Sequence, residues 1–195
     1  MKKRWLCLML LATLLILAAC SHRDTHPEWP EAWSRAGDHF AIETPDGYYL
    51  YEYNPAFAAN GIWYMTWAFG QPGDEHLVPD KDGKTESVYF DAQVYLITRE
   101  YKNEEEANTN VSSWIEREGQ NYEAGEPRPL TVQGQAFQML PLLSSRPDNP
   151  YSHGAAAFSV RGNLAFSVEV LCVEGFDGDA QEILELFLNG IHYGE

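Results

Sequence analysis

The sequence predicts an α+β domain: an antiparallel, curved β-sheet with one central helix and one C-terminal helix packed on it. Three observations carry that prediction. Alternating and aromatic-rich segments with strand character fill much of the stretch from His39 to Arg99. The hydrophobic period then lengthens to that of a helix just after Asn103. A second group of strands follows, and a helical pattern starting at Asp179 closes the chain. Strands, a helix, more antiparallel strands and a terminal helix form the layout of helices laid on one sheet.

Taken in order, Phe40 and Ile42 alternate ahead of the turn Pro45-Asp46-Gly47. Residues 48–53 and 62–69 are aromatic-rich runs of high strand propensity. Residues 70–86 are polar, carry Gly and Pro, and read as a loop. In residues 87–99, Val88, Phe90, Ala92, Val94 and Leu96 share one face of a single strand, with Asp91, Gln93 and Arg99 on the other. Ala107, Val111, Trp114 and Ile115 line one helix face. Asn103 suits the N-cap with Glu106 three residues on, Glu104 to Glu106 favour the helix dipole, and Gly119 is placed to end the helix. Residues 135–143 form a strand, and residues 155–160 pair with 164–173 across Gly162-Asn163. The last helix is capped by Asp179, with Glu182 three residues on, and buries Ile183, Leu184, Phe187, Leu188 and Ile191.

Composition bounds the function. The chain has 195 residues, 13 Lys+Arg against 29 Asp+Glu, and a formal charge of −16. One domain of this size buries roughly 70% of its unfolded surface. Apolar residues at 45% rule out an intrinsically disordered chain. The acidity excludes nucleic acid as a partner, since a phosphate-binding surface needs a basic patch. It equally excludes charge-driven attachment to an acidic membrane.

The amino terminus supplies an address. Lys2, Lys3 and Arg4 precede an apolar run over residues 5–17 broken only by Thr13. A bilayer-spanning helix needs about 20 residues, so the run reads as a secretory signal rather than a span. Leu17-Ala18-Ala19-Cys20 resembles the lipobox of bacterial lipoproteins, in which the cysteine sulfur receives a diacylglyceryl group. The resemblance implies a signal peptide over residues 1–19 and palmitate-type acyl chains on Cys20. The lipid bilayer would then be a partner on the extracytoplasmic face of the cell envelope, with inner and outer membrane both open. Residues 20–37, with Pro27 and Pro30, read as the tether, and residues 38–195 as the single domain. Loss of Lys2, Lys3 and Arg4 would take the formal charge from −16 to −19. Cys7 leaves with the signal and Cys172 has no partner, so no disulfide is available. The order of elements over residues 39–190 resembles the PsbP-like fold. That resemblance transfers no catalytic residue, because no family site matches this chain.

No catalytic constellation and no cofactor motif is present. There is no Gly-x-Ser-x-Gly elbow. Ser152-His153 follow Pro147-Asp148-Asn149-Pro150 and read as a surface loop, and Cys172 reads as a small core residue. No metal site is expected. His22 and His26 lack further ligands, and Asp80, Asp82 and Glu86 around Gly83 form an incomplete calcium loop, with Val78 in the place of its first acid. The candidate ligand-binding residues are aromatic: Tyr49, Tyr51 and Tyr53 form one row, and Trp63, Met65, Trp67 and Phe69 another face. The resulting expectation is a membrane-anchored lipoprotein with a non-enzymatic binding or accessory role, toward an envelope protein or a small molecule. Two alternatives stand beside it. One is an envelope hydrolase assembled from distant loops, which requires a cleft holding His153 with a carboxylate and a hydroxyl. The other is a structural subunit of an envelope complex.

Overall fold

The computed structural model describes residues 30, 33–36, 40–57, 63–79, 86–144 and 149–194. The lipobox-like start, Cys20 and most of the tether lie outside them. Among the described residues, twelve strands and two helices follow in chain order: β1 (Ser34–Ala36), β2 (Phe40–Ile42), β3 (Tyr49–Phe57), β4 (Trp63–Gly70), β5 (Glu75–Pro79), β6 (Glu86–Phe90), β7 (Ala92–Glu100), α1 (Glu104–Asn121), β8 (Arg128–Val132), β9 (Gln135–Leu143), β10 (Tyr151–Arg161), β11 (Leu164–Val173), α2 (Ala180–Asn189) and β12 (Ile191–Tyr193).

Seven of these strands form one sheet in the order β3-β4-β7-β11-β10-β9-β8, antiparallel at every pairing. The α+β class holds. The two helices lie on opposite faces of the sheet, both over β10 and β11. These two strands are therefore covered twice, which is why 11 residues of β10 and β11 combined run buried without the alternation of a one-sided strand at 154–159 and 164–168. On the α2 face, Phe166 packs against Phe40 and Phe137 at 5.0 and 5.7 Å between ring centroids. Phe187 of α2 meets Tyr48 and Phe69 at 5.0 and 5.2 Å. On the other face, Ala107, Val111 and Trp114 of α1 join Leu140, Ala156, Phe158 and Leu171. A small sheet, β1-β2-β12, completes the α2 side.

The caps follow the sequence. Asn103 accepts from the Glu106 amide, and Asp179 from the amides of Gln181 and Glu182. Several boundaries differ. Gly119 does not end α1, which runs on to Asn121 and closes on Tyr122, whose amide bonds the Glu118 carbonyl. The expected loop at 70–86 contains β5, paired with β6 through Leu77↔Val88, so the single strand expected over 87–99 breaks at Asp91. Ile191 is buried from β12 rather than from the helix. Ser34–Ala36, inside the stretch read as tether, pairs with β2, and Trp33 stacks on His192 at 4.2 Å. The β8–β9 turn escaped the sequence reading because it is Gln133-Gly134, not an Asn-Gly pair. Gln133 is nevertheless held at φ 49 beside Gly134 at φ 80, the twist that a two-residue hairpin needs. Its side chain donates to the Asn189 carbonyl at 2.6 Å, tying the turn to the end of α2.

Candidate functional site

The aromatic row does not stay together. Between Leu50 and Glu52 the β3–β4 register shifts, leaving Tyr51 as an extra residue in β3. A bulge of this kind resets the alternation of faces. Tyr53 therefore stacks on Trp67, 5.5 Å away and part of the α2-side core, while Tyr51 turns toward the opposite face and Gln93. Tyr49 donates to Glu75 Oε1 at 2.9 Å and meets the edge of Phe90. Trp67 is 2% exposed, whereas Tyr53 is 50% exposed, with its neighbour Leu50 at 40%. Met65 and Phe69 lie with Trp67 on the α2-side core, and the Trp63 side chain lies outside the described residues.

On the α1 face, Gln93 is buried although its place in the alternation predicted a polar outer face. Its Nε2 donates to the hydroxyls of Tyr51 and Tyr95, and its Oε1 accepts from Tyr151. Burial raises all three phenols, so they stay protonated. Two strand positions further along β11, the Glu169 carboxyl is enclosed although the residue keeps some solvent contact. Burial first, then repulsion from Glu118 on α1, pushes it up to about 7, opposed by a hydrogen bond from Ser167 at 3.0 Å. This knot satisfies itself: its donors and acceptors are engaged with one another. At its edge, His76 bonds Asp91 at 2.7 Å and stacks on Tyr89, fastening the β5–β6 arm to the sheet.

A recess suited to a ligand lies on the other face. The ends of β9 and β10 and the segment leading into α2 enclose a groove of about 510 Å³, a volume in the range of small-molecule sites, which run from roughly 300 to 1,000 Å³. The register His153↔Leu143, Ala155↔Pro141, Ala157↔Met139 sets Met139, Pro141 and Leu143 in a line along the floor. Leu143 is 56% exposed. Asp177, Gly178 and Asp179 form the wall. Gly154 lets β10 lie close to β11 here, since a Cβ on it would stand 2.2 Å from the Val170 carbonyl oxygen.

His153 lines this groove, so the loop expected around it is corrected. Strand β10 begins at Tyr151, four residues before the expected start, because the pairing with β9 and β11 extends that far. A register shift between Tyr151 and His153 bulges the strand at Ser152 and brings Ser152 Oγ within 3.0 Å of His153 Nδ1. Among the described residues no carboxylate bonds to His153. Asp179 caps α2 instead. Cys172 is buried in the α2-side core, and burial pushes its thiol up to about 12, so it is an unreactive packing residue. Among the described residues there is no group of three or more His, Cys, Asp or Glu side chains able to hold a metal ion, and residues 80–85 of the calcium-like loop lie outside them.

No protein-family model and no curated protein matches the chain. Among solved structures, the extracellular domain of PknH from Mycobacterium tuberculosis is similar over 68% of this chain and 66% of that one, at 12% identity and a TM-score of 0.35. The solution structure of cyanobacterial PsbP (CyanoP) from Synechocystis sp. PCC 6803 is similar over 82% of this chain and 97% of that one, at 11% identity and a TM-score of 0.36. At these scores the likeness carries no argument about function.

Proposed function

We propose that this chain is a lipid-anchored, extracytoplasmic binding protein without enzymatic activity, whose ligand occupies the groove between β9, β10 and the start of α2. The observation that carries the reading is the groove itself, an apolar floor of about 510 Å³ left open beside a finished core, with few polar groups converging on it. The lipobox-like Leu17-Ala18-Ala19-Cys20 supports the anchor and the compartment. The aromatic row enters this reading unequally. Tyr53 and Leu50 form a second, smaller exposed patch, while the Tyr49 and Tyr51 hydroxyls are engaged within the fold.

Two measurements test the proposal. Intact mass of membrane-extracted protein is expected to show loss of residues 1–19 with a lipid adduct on Cys20, and Cys20→Ala is expected to abolish both. An unprocessed chain in export-competent cells refutes the anchor. For the groove, fragment screening by NMR is expected to shift the amides of Leu143, His153 and Gly178 together, and Leu143→Arg is expected to suppress those shifts. A screen that moves other surfaces and never these amides refutes the site.

A second reading, a hydrolase, is favoured by one observation, the contact between Ser152 Oγ and His153 Nδ1 at the groove. A histidine that bonds a hydroxyl is the arrangement that activates a serine nucleophile. It predicts turnover of p-nitrophenyl acetate that Ser152→Ala abolishes. Equal rates for the two proteins eliminate it.

A further inference from the structure

We infer that the groove selects a small organic cation, an ammonium group carried on an apolar body; this rests on the reading of the groove as the binding site. The floor and the wall offer different chemistry. Along β9, Met139, Pro141 and Leu143 stand at alternate positions, so neighbours in the line are about 7 Å apart and together they offer an extended apolar surface. Such a strip takes up a hydrocarbon or aromatic body and has no means of holding an anion.

The wall supplies the charge. Asp177 is exposed and, among the described residues, forms no ion pair. Asp179 gives Oδ1 to the amides of Gln181 and Glu182, and among the described residues its Oδ2 accepts no hydrogen bond. An open helix N-terminus draws anions, but here Asp179 already occupies the amides that would do so. Among the described residues no lysine or arginine lines the groove, and Arg128, paired with Met139 from β8, stands outside it. Two formal negative charges at the mouth of an apolar trough complement an amine whose tail lies on Leu143 and Pro141 and whose ammonium reaches the carboxylates.

The test compares 2-phenylethylamine with 2-phenylethanol, which has the same body without the charge, by titration of the 15N-labelled protein and of its Asp177→Asn/Asp179→Asn variant. Asparagine caps a helix about as well as aspartate, so the variant removes charge while keeping α2, and an unchanged thermal midpoint verifies this. The expected result is binding of the amine about five- to tenfold tighter than the alcohol, a preference that the variant loses and that falls with added salt. Equal affinities for the two probes, or a preference that survives in the variant, overturn the inference while leaving the groove as a binding site. If neither probe shifts the amides of Leu143, His153 or Gly178, both the inference and the site assignment fall.

Discussion

Under α2 the sheet presents Phe69, Val94, Phe166 and Val168, all fully buried and all apolar. Under α1 it presents Gln93, Ser167 and Glu169 among Ala156, Phe158 and Leu171. The same strands supply both surfaces, so neither composition nor propensity separates them. On the α2 side, rings at 5.0–5.7 Å fill space, and their contribution depends on volume alone. On the α1 side, one amide coordinates three phenols, and a carboxyl holds its proton toward neutral pH because burial first, and then an acidic neighbour, disfavours its charge. The first surface is insensitive to pH and intolerant of truncation. The second depends on every partner staying in place, since a buried polar group that loses its mate costs more than a bond gains.

That contrast yields graded predictions. Phe166→Ala opens a cavity among Phe40, Phe137 and their neighbours and is expected to cost about 3–5 kcal/mol in urea unfolding. A loss under about 1 kcal/mol means that the α2-side core is loosely packed. Next comes pH. Folded Glu169 keeps its proton up to about pH 7, while the unfolded chain releases it near 4.5. Between those values the folded state holds a proton that the unfolded state has lost. Stability from this group is thus complete below pH 4.5 and declines as pH rises to 7, by at most about 3 kcal/mol. Glu169→Gln is expected to flatten the stability profile across that window, and identical profiles break the assignment of the pH response to the α1 face. Gln93→Leu strands three phenol groups and is expected to cost about 1–3 kcal/mol, whereas adding Tyr51, Tyr95 and Tyr151→Phe to it is expected to restore part of the loss. No recovery in the quadruple variant means the knot contributes shape rather than polarity. Smallest are the caps. Asp179→Ala and Asn103→Ala are each expected to cost about 1 kcal/mol, and Asp179, which holds two amides against one for Asn103, is expected to be the larger.

Where a feature depends on neighbours a few residues away, the sequence displays it. Both caps, the α1 face of Ala107, Val111 and Trp114, and the buried Leu184, Phe187 and Leu188 of α2 are readable from spacing. Where it depends on pairing between distant strands, spacing misleads. Alternation sends Gln93 to solvent, yet Tyr51, Tyr95 and Tyr151, the last 58 residues away, hold it inside. Alternation aligns Tyr53 with Tyr51, yet one extra residue in β3 parts them. The groove is the extreme case. Its floor comes from β9, its His153 from a strand end read as loop, and its acidic wall from the approach to α2. The floor and His153 lie far in sequence from the wall at Asp177–Asp179, so no short window contains them all.

By itself, then, the sequence determined the α+β class and the two helices with their caps, because these follow from local geometry. Only the tertiary structure decided that the helices take opposite faces, that one face is polar, and that a groove stays open at the end of β9. Those outcomes are set by strand order, register and two bulges, and each is a choice among pairings that are locally equivalent.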